Sequence, residues 1–265
     1  MTQSQKTPTM NDSLAQKLKY LRLGALHEHW DDYLQQAAAR RFSHGRLLTH
    51  VIDQEYQMRR ENARQFRLKR AGIPEPWVME TYPFDKQPRL DKKKLMALYD
   101  SQAYLQKHQN ILWLGVTGCG KTGLATSFLT QAINQGYNGR YVLFAELVGE
   151  LYRSVADHSE SSVLKKYLSC DLLFIDEIGY AEVEPVQVGL FFTLMQKRHQ
   201  KKSTLITSNL GFSEWGSFLN NDHLTAALID RLTANSHIIH MKKCHSLREP
   251  VDPDPHELGS QPKAD

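Results

Sequence analysis

Cysteine is scarce: three residues in 265, Cys119, Cys170 and Cys244, odd in number and far apart. That excludes a disulfide framework, and the spacing matches no zinc pattern. His240, Cys244 and His245 lie close together in sequence, but no fourth ligand is in view, so no metal site is read there. No apolar run approaches the ~20 residues of a membrane span. The N-terminus, Met1 to Thr9, is polar with no apolar signal region, and the chain is expected to be cytoplasmic with no membrane partner. There is no internal repeat and no recognisable base-reading motif. Acidic residues are outnumbered by Lys and Arg in the body of the chain. From Glu249 onward five carboxylates face only Lys263, a net −4, so the rest carries +8 against an overall +4. A basic body favours phosphate polymers as partners, although scattered Lys and Arg also make an ordinary solvated surface.

What is present is a complete G-x-x-x-x-G-K-[ST] loop, Gly115-Val116-Thr117-Gly118-Cys119-Gly120-Lys121-Thr122, entered from the apolar run Ile111–Leu114. Its glycines let successive N–H groups turn inward on phosphate oxygens. Lys121 supplies a point charge to the β/γ oxygens and Thr122 a hydroxyl for Mg²⁺. The chain beyond is apolar at 124, 128, 129 and 132, a helical spacing, so strand, loop and helix come in the order an ATP site requires.

A second apolar run, Leu172 to Ile175, ends in Asp176-Glu177. Two adjacent acids serve two tasks: Asp176 to hold Mg²⁺ through water, Glu177 to polarise the water that attacks the γ-phosphate. An acidic strand end facing solvent is the plain alternative. A third run, Thr204 to Ser208, ends in Asn209, placed to orient that water or simply to form a turn. The helical stretch Leu224–Leu232 carries Arg231 near its end, either a surface charge suited to a helix C-terminus or a group that stabilises phosphoryl charge from a neighbouring molecule.

Residues 1–11 read as a flexible lead. A helical N-terminal domain, 12–94, follows the periodicity of Leu14, Leu18, Leu21 and of Leu47, Leu48, Val51, Ile52, Tyr56. Gly24 and Ser43-His44-Gly45 mark breaks. Its last helix ends in Arg59, Arg60, Arg64, Arg67, Lys69 and Arg70, which suits a phosphate backbone, a solvated face or an acidic protein partner. Residues 95–248 alternate strands (111–114, 141–145, 171–176, 203–208, 237–241) with helices (about 121–134, 146–157, 187–200, 224–234). The expected fold is α/β, a five-stranded parallel sheet with helices on both faces and nucleotide at the carboxyl ends of the strands. The proline-rich acidic tail, 249–265, is expected to be disordered.

Taken together, residues 12–248 resemble AAA+ ATPases of the IstB/DnaC group, and most closely IstB-type helper proteins of bacterial insertion sequences. The resemblance rests on Gly115–Thr122, Leu173-Phe174-Ile175-Asp176-Glu177-Ile178-Gly179-Tyr180, Leu205-Ile206-Thr207-Ser208-Asn209-Leu210 and Leu224–Arg231. It implies Asn209 as the sensor residue and Arg231 as an arginine finger reaching a neighbouring subunit's ATP. It also implies ATP hydrolysis with Mg²⁺, a ring or helical homo-oligomer on duplex DNA, and delivery of that DNA to an IstA-like transposase. The N-terminal domain would face the transposase or mediate self-assembly. The group closes with a Gly-Glu-Ser-Tyr-Arg-like segment whose arginine senses nucleotide. Here the chain reads Lys243-Cys244-His245-Ser246-Leu247-Arg248, so Arg248 reaches that position only with a one-residue insertion. Three alternatives stay open: a DnaC-type helicase loader preferring single strands, a small-molecule kinase, and a scaffold that binds ATP only to assemble.

Overall fold

The computed structural model describes residues 10–180 and 182–247. The chain divides into two compact units, Met1–Arg67 and Leu68–Asp265. The acidic tail and Arg248 lie outside the described residues.

The first unit is helical: α1 (Asp12–Tyr20), α2 (Gly24–Glu28), α3 (Trp30–Ala39) and the greater part of α4 (His44–Ala71). Asn11 caps α1 by accepting the Leu14 N–H at 2.8 Å, which satisfies one of the first-turn donors. Leu18, Ala25 and Tyr33 are buried, and the Glu55 carboxylate on α4 accepts the Leu26 N–H at 2.8 Å. Part of the basic run has local partners. Arg59 donates to the Arg22 carbonyl at 2.6 Å, and Arg64 pairs with Glu61 at 2.6 Å. Leu48, Ile52 and Tyr56, four residues apart on α4, are each 60–66% exposed. That spacing lays an uncovered apolar stripe along the helix.

The second unit continues through α5 (Lys92–Ser101), α6 (Ala103–Gln106), β1 (Asn110–Gly115), α7 (Lys121–Asn134), β2 (Gly139–Leu143), α8 (Phe144–Ala156), α9 (Glu160–Leu168), β3 (Leu172–Ile178), α10 (Pro185–Arg198), β4 (Ser203–Ser208), α11 (Phe212–Leu219), α12 (Asp222–Thr233) and β5 (Ser236–Met241). The five strands form one parallel sheet in the order β2-β3-β4-β1-β5. Alternation along each strand feeds two cores. Leu112, Leu114, Leu173, Ile175 and Ile206 point to one face, and Ile111, Trp113, Leu172, Phe174 and Leu205 to the other. β1 and β4 are buried along their whole length, the pattern of central parallel strands covered on both sides.

Four elements named here depart from the sequence expectation. β2 ends at Leu143, two residues early, because Phe144 and Ala145 already belong to α8, where Phe144 is buried. The run Tyr141-Val142-Leu143-Phe144-Ala145 is apolar throughout, and periodicity alone cannot divide it. α5 forms in the stretch read as a join, capped by Asp91, which accepts the Lys94 N–H at 2.9 Å. α9 and α11 fill segments expected to be irregular.

Candidate nucleotide-binding site

β3, β4 and β1 are neighbours, and their carboxyl ends open onto one cavity of about 360 Å³. Thr117, Gly118, Gly120, Lys121, Thr122, Glu177 and Asn209 all line it. Three sequence segments spread over more than ninety residues therefore converge.

The loop after β1 turns into α7 through Gly120, whose φ of +87° sits in the left-handed region. A side chain there would meet both that backbone strain and the Tyr82 ring, 2.6 Å from the Cβ position. No side chain caps the first turn of α7, the arrangement that presents N–H dipoles to an anion. The Lys121 ammonium folds back onto the loop, donating to the Gly115 and Val116 carbonyls at 2.8 Å each. Cys119 turns onto the same Val116 carbonyl. Its thiol is buried and donates to the Val116 carbonyl at 2.9 Å, and burial pushes its pKa up despite Lys121 nearby.

Asp176 is buried at the floor. One carboxylate oxygen accepts from the Thr122 hydroxyl at 3.0 Å and from the Thr207 hydroxyl, the other from the Tyr141 hydroxyl at 3.1 Å. Burial first, and then the Asp176 charge, hold the Tyr141 phenol well above its ordinary range. Glu177 is exposed to the cavity because the β3/β4 register shifts between Ile175 and Ile178. Its φ is +62°, a strained conformation for a residue with a side chain, of a kind that clusters at functional sites. The Glu177 N–H is held by the Thr207 oxygen at 3.0 Å. Gly179, at φ +112°, lets the chain pass Asn209, whose Oδ1 would lie 2.6 Å from a Cβ there. That Oδ1 is buried without a hydrogen-bond partner.

The donor set fits a nucleoside triphosphate with its metal. Cation and loop dipoles stand on one wall, a hydroxyl and a carboxylate lie together on the floor, and a buried amide oxygen awaits a donor. Thr122 and Asp176 are the residues that would hold Mg²⁺. Among the described residues no cluster of His, Cys, Asp and Glu is arranged as a dedicated metal cage, and the three cysteines are free and buried.

Arg231, named from the sequence, does not line this cavity, and Arg248 lies outside the described residues. Arg231 sits in the last turn of α12, donating to the Ala227 carbonyl at 2.9 Å with its guanidinium 4.8 Å over the Phe192 ring. α12 leads into the amino end of β5, a strand of six residues, which puts Arg231 about 20 Å from the carboxyl edge at 3.3 Å per residue.

Several groups in and behind the cavity wall were not legible in the sequence. Trp77 packs over Gly123, and the buried Tyr82 donates its hydroxyl to the Cys119 carbonyl at 2.8 Å. The Tyr180 and Thr117 hydroxyls are bonded at 2.8 Å, tying the loop after β3 to the phosphate loop. The Leu247 N–H donates to the Gly118 carbonyl at 2.8 Å. The one signal was an aromatic pair, Trp77 and Tyr82, in a stretch bounded by Pro76 and Pro83.

Sheet order, phosphate loop and paired acids define a P-loop nucleotide-binding domain of the AAA+ type. The fold is shared with AMPPCP-bound DnaA of Aquifex aeolicus, at 15% identity and a TM-score of 0.54 over 71% of this chain and 59% of that one. It is shared also with a DNA replication initiation factor, at 16% identity and a TM-score of 0.52 over 63% of this chain and 49% of that one. The model of the IstB-like ATP binding protein family matches residues 16–250, and the chain belongs to that family. It is 29% identical over 225 residues to the ATP-binding protein of insertion sequence IS21 of Pseudomonas aeruginosa, covering 85% of this chain and 84% of the relative. To the corresponding IS5376 protein of Geobacillus stearothermophilus it is 27% identical over 241 residues, covering 91% and 96%. Among the described residues no helix is long and apolar enough to cross a membrane.

Proposed function

We propose that this chain hydrolyses ATP in an oligomer assembled on duplex DNA and delivers that DNA to a partner transposase. The observation that carries the reading is the separation of Arg231 from its own cavity, while Lys121, Thr122, Asp176, Glu177 and Asn209 line or floor it. Among the described residues the site lacks a charge-stabilising arginine, and a neighbour that supplied one would make hydrolysis depend on assembly.

Lys121 would neutralise the β/γ oxygens of bound ATP. Glu177 would take the proton of the attacking water as its oxygen bonds to the γ-phosphorus, with ADP as the leaving group, and Asn209 would fix that water's orientation. Mg²⁺ bound at Thr122 and Asp176 would screen the phosphate charge. Arg231 of the adjoining subunit would stabilise charge on the transferring phosphoryl group. The exposed stripe of Leu48, Ile52 and Tyr56 supports a contact made by the helical unit, with the transposase or between subunits. The +8 body supports contact with the DNA backbone.

A reconstituted integration assay tests the proposal. With an IstA-like transposase, strand transfer into a target duplex should rise when the protein and ATP are added together. No stimulation under conditions where both proteins bind DNA would refute delivery.

A further inference from the structure

A second cavity, about 520 Å³, shares no residue with the nucleotide site. It lies between α5 and the outer edge of β5, with His237, Ile238, Ile239 and His240 along one side. β5 is the terminal strand, and among the described residues its ladder runs to β1 alone. Unlike the buried β1 and β4, four of its six residues are half-exposed and His240 is exposed. The edge therefore presents backbone donors and acceptors beside a pocket floored by Leu95 and Leu98.

The rim is cationic. Arg89, Lys94 and Lys107 surround the opening against the single acid Asp91. Their field reaches the strand: burial first, then the charges of Lys94 and Lys107, hold His237 below its ordinary pKa. An unpaired strand edge, an aliphatic floor and a cationic rim together match an extended peptide with aliphatic and acidic side chains. The strand supplies the ladder and the rim supplies the sign of the charge.

We propose that this cavity is a docking site for an extended acidic segment of a partner protein, added as a sixth strand to β5 beneath Arg89, Lys94 and Lys107. The chain's own acidic segment is a poorer match. Prolines at 250, 253 and 255 remove three backbone N–H donors from it.

The test uses the full-length protein and a fluorescein-labelled decapeptide of alternating aspartate and valine, read by anisotropy. Saturable binding is expected, weakened about tenfold or more by Lys94→Glu with Lys107→Glu. Both lysines are exposed, and unchanged nucleotide binding in that variant verifies its fold. Methylating alternate backbone amides of the peptide should abolish binding, while Lys121→Ala should leave it intact, which keeps this site separate from the ATP reading. No saturable binding, equal binding to the charge-reversed protein, or equal binding of the methylated peptide would overturn the proposal. Full-length protein carrying Asp252→Asn, Asp254→Asn and Glu257→Gln distinguishes the source. Unchanged affinity supports a partner's segment, and tenfold tighter binding assigns the pocket to the chain's own residues and overturns the partner.

Discussion

The Glu177 N–H donates to the Thr207 hydroxyl oxygen at 3.0 Å, across thirty residues of sequence, and the same hydroxyl donates its proton to Asp176. One buried side chain on β4 thereby holds both acids of β3, the one in a normal strand conformation and the other at φ +62°. Thr207→Val keeps the shape and removes the hydroxyl. It should cost about 1–3 kcal/mol for the orphaned N–H and lower turnover about ten- to a hundredfold through misplacement of Glu177. ATP affinity should change little. Steady-state kinetics beside a fluorescent-nucleotide titration would show this, and parental turnover would remove Thr207 from the account.

Gly179→Ala places a methyl group 2.6 Å from the Asn209 amide oxygen at a φ of +112°. The strain alone is worth about 1–3 kcal/mol. A lower thermal midpoint and slower hydrolysis are expected together, because relief of the clash displaces Asn209. A variant that unfolds at the parent's temperature and hydrolyses at its rate would show that this backbone position is slack.

Binding and chemistry rest on different residues and should separate. Lys121→Ala should lose ATP binding and assembly together. Glu177→Gln should bind ATP and persist as an oligomer on DNA while hydrolysis falls by about a hundredfold or more. Gel filtration with nucleotide, alongside phosphate release, distinguishes the two. Near-parental hydrolysis by Glu177→Gln would sink its assignment as the base.

Arg231 stacks on Phe192 and donates within its own helix, so its loss should spare nucleotide binding. Arg231→Ala is expected to bind ATP normally and hydrolyse it poorly. Mixed with Lys121→Ala protein it should regain activity, since some interfaces then pair an intact phosphate loop with an intact arginine. If mixed oligomers form and no ratio restores turnover, the arginine does not act in trans.

The strands were legible because β1, β3 and β4 are short apolar runs ending in polar residues, and such runs read as buried parallel strands whatever lies far away. Lys121, Glu177 and Asn209 could be listed together because Glu177 and Asn209 close such runs and the loop that carries Lys121 follows another. The walls of the cavity could not. Trp77 and Tyr82 come from an aperiodic, proline-bounded stretch, and only the folded backbone brings the Tyr82 hydroxyl to Cys119. Tyr141 sits mid-strand with nothing in sequence to tie it to Asp176, 35 residues on. The left-handed φ of Glu177 arises from a register shift between two strands, a relation that no local pattern encodes. The charge run Lys92-Lys93-Lys94 occupies the first turn of α5 and breaks the apolar periodicity that begins only at Leu95, while the Asp91 cap precedes it.

The central claim is that ATP state governs assembly on duplex DNA, and the most direct measurement is DNA retention and ATPase rate titrated against salt, with duplex and single strand side by side. The account predicts cooperative duplex binding that requires ATP and Mg²⁺, has little sequence preference, and raises the ATPase rate. Retention should fall with salt at a logarithmic slope of about −0.9 for each phosphate neutralised. A marked preference for single strands would contradict it in favour of a helicase-loading role, and failure to bind either nucleic acid with ATP present would contradict every DNA-based reading of the chain.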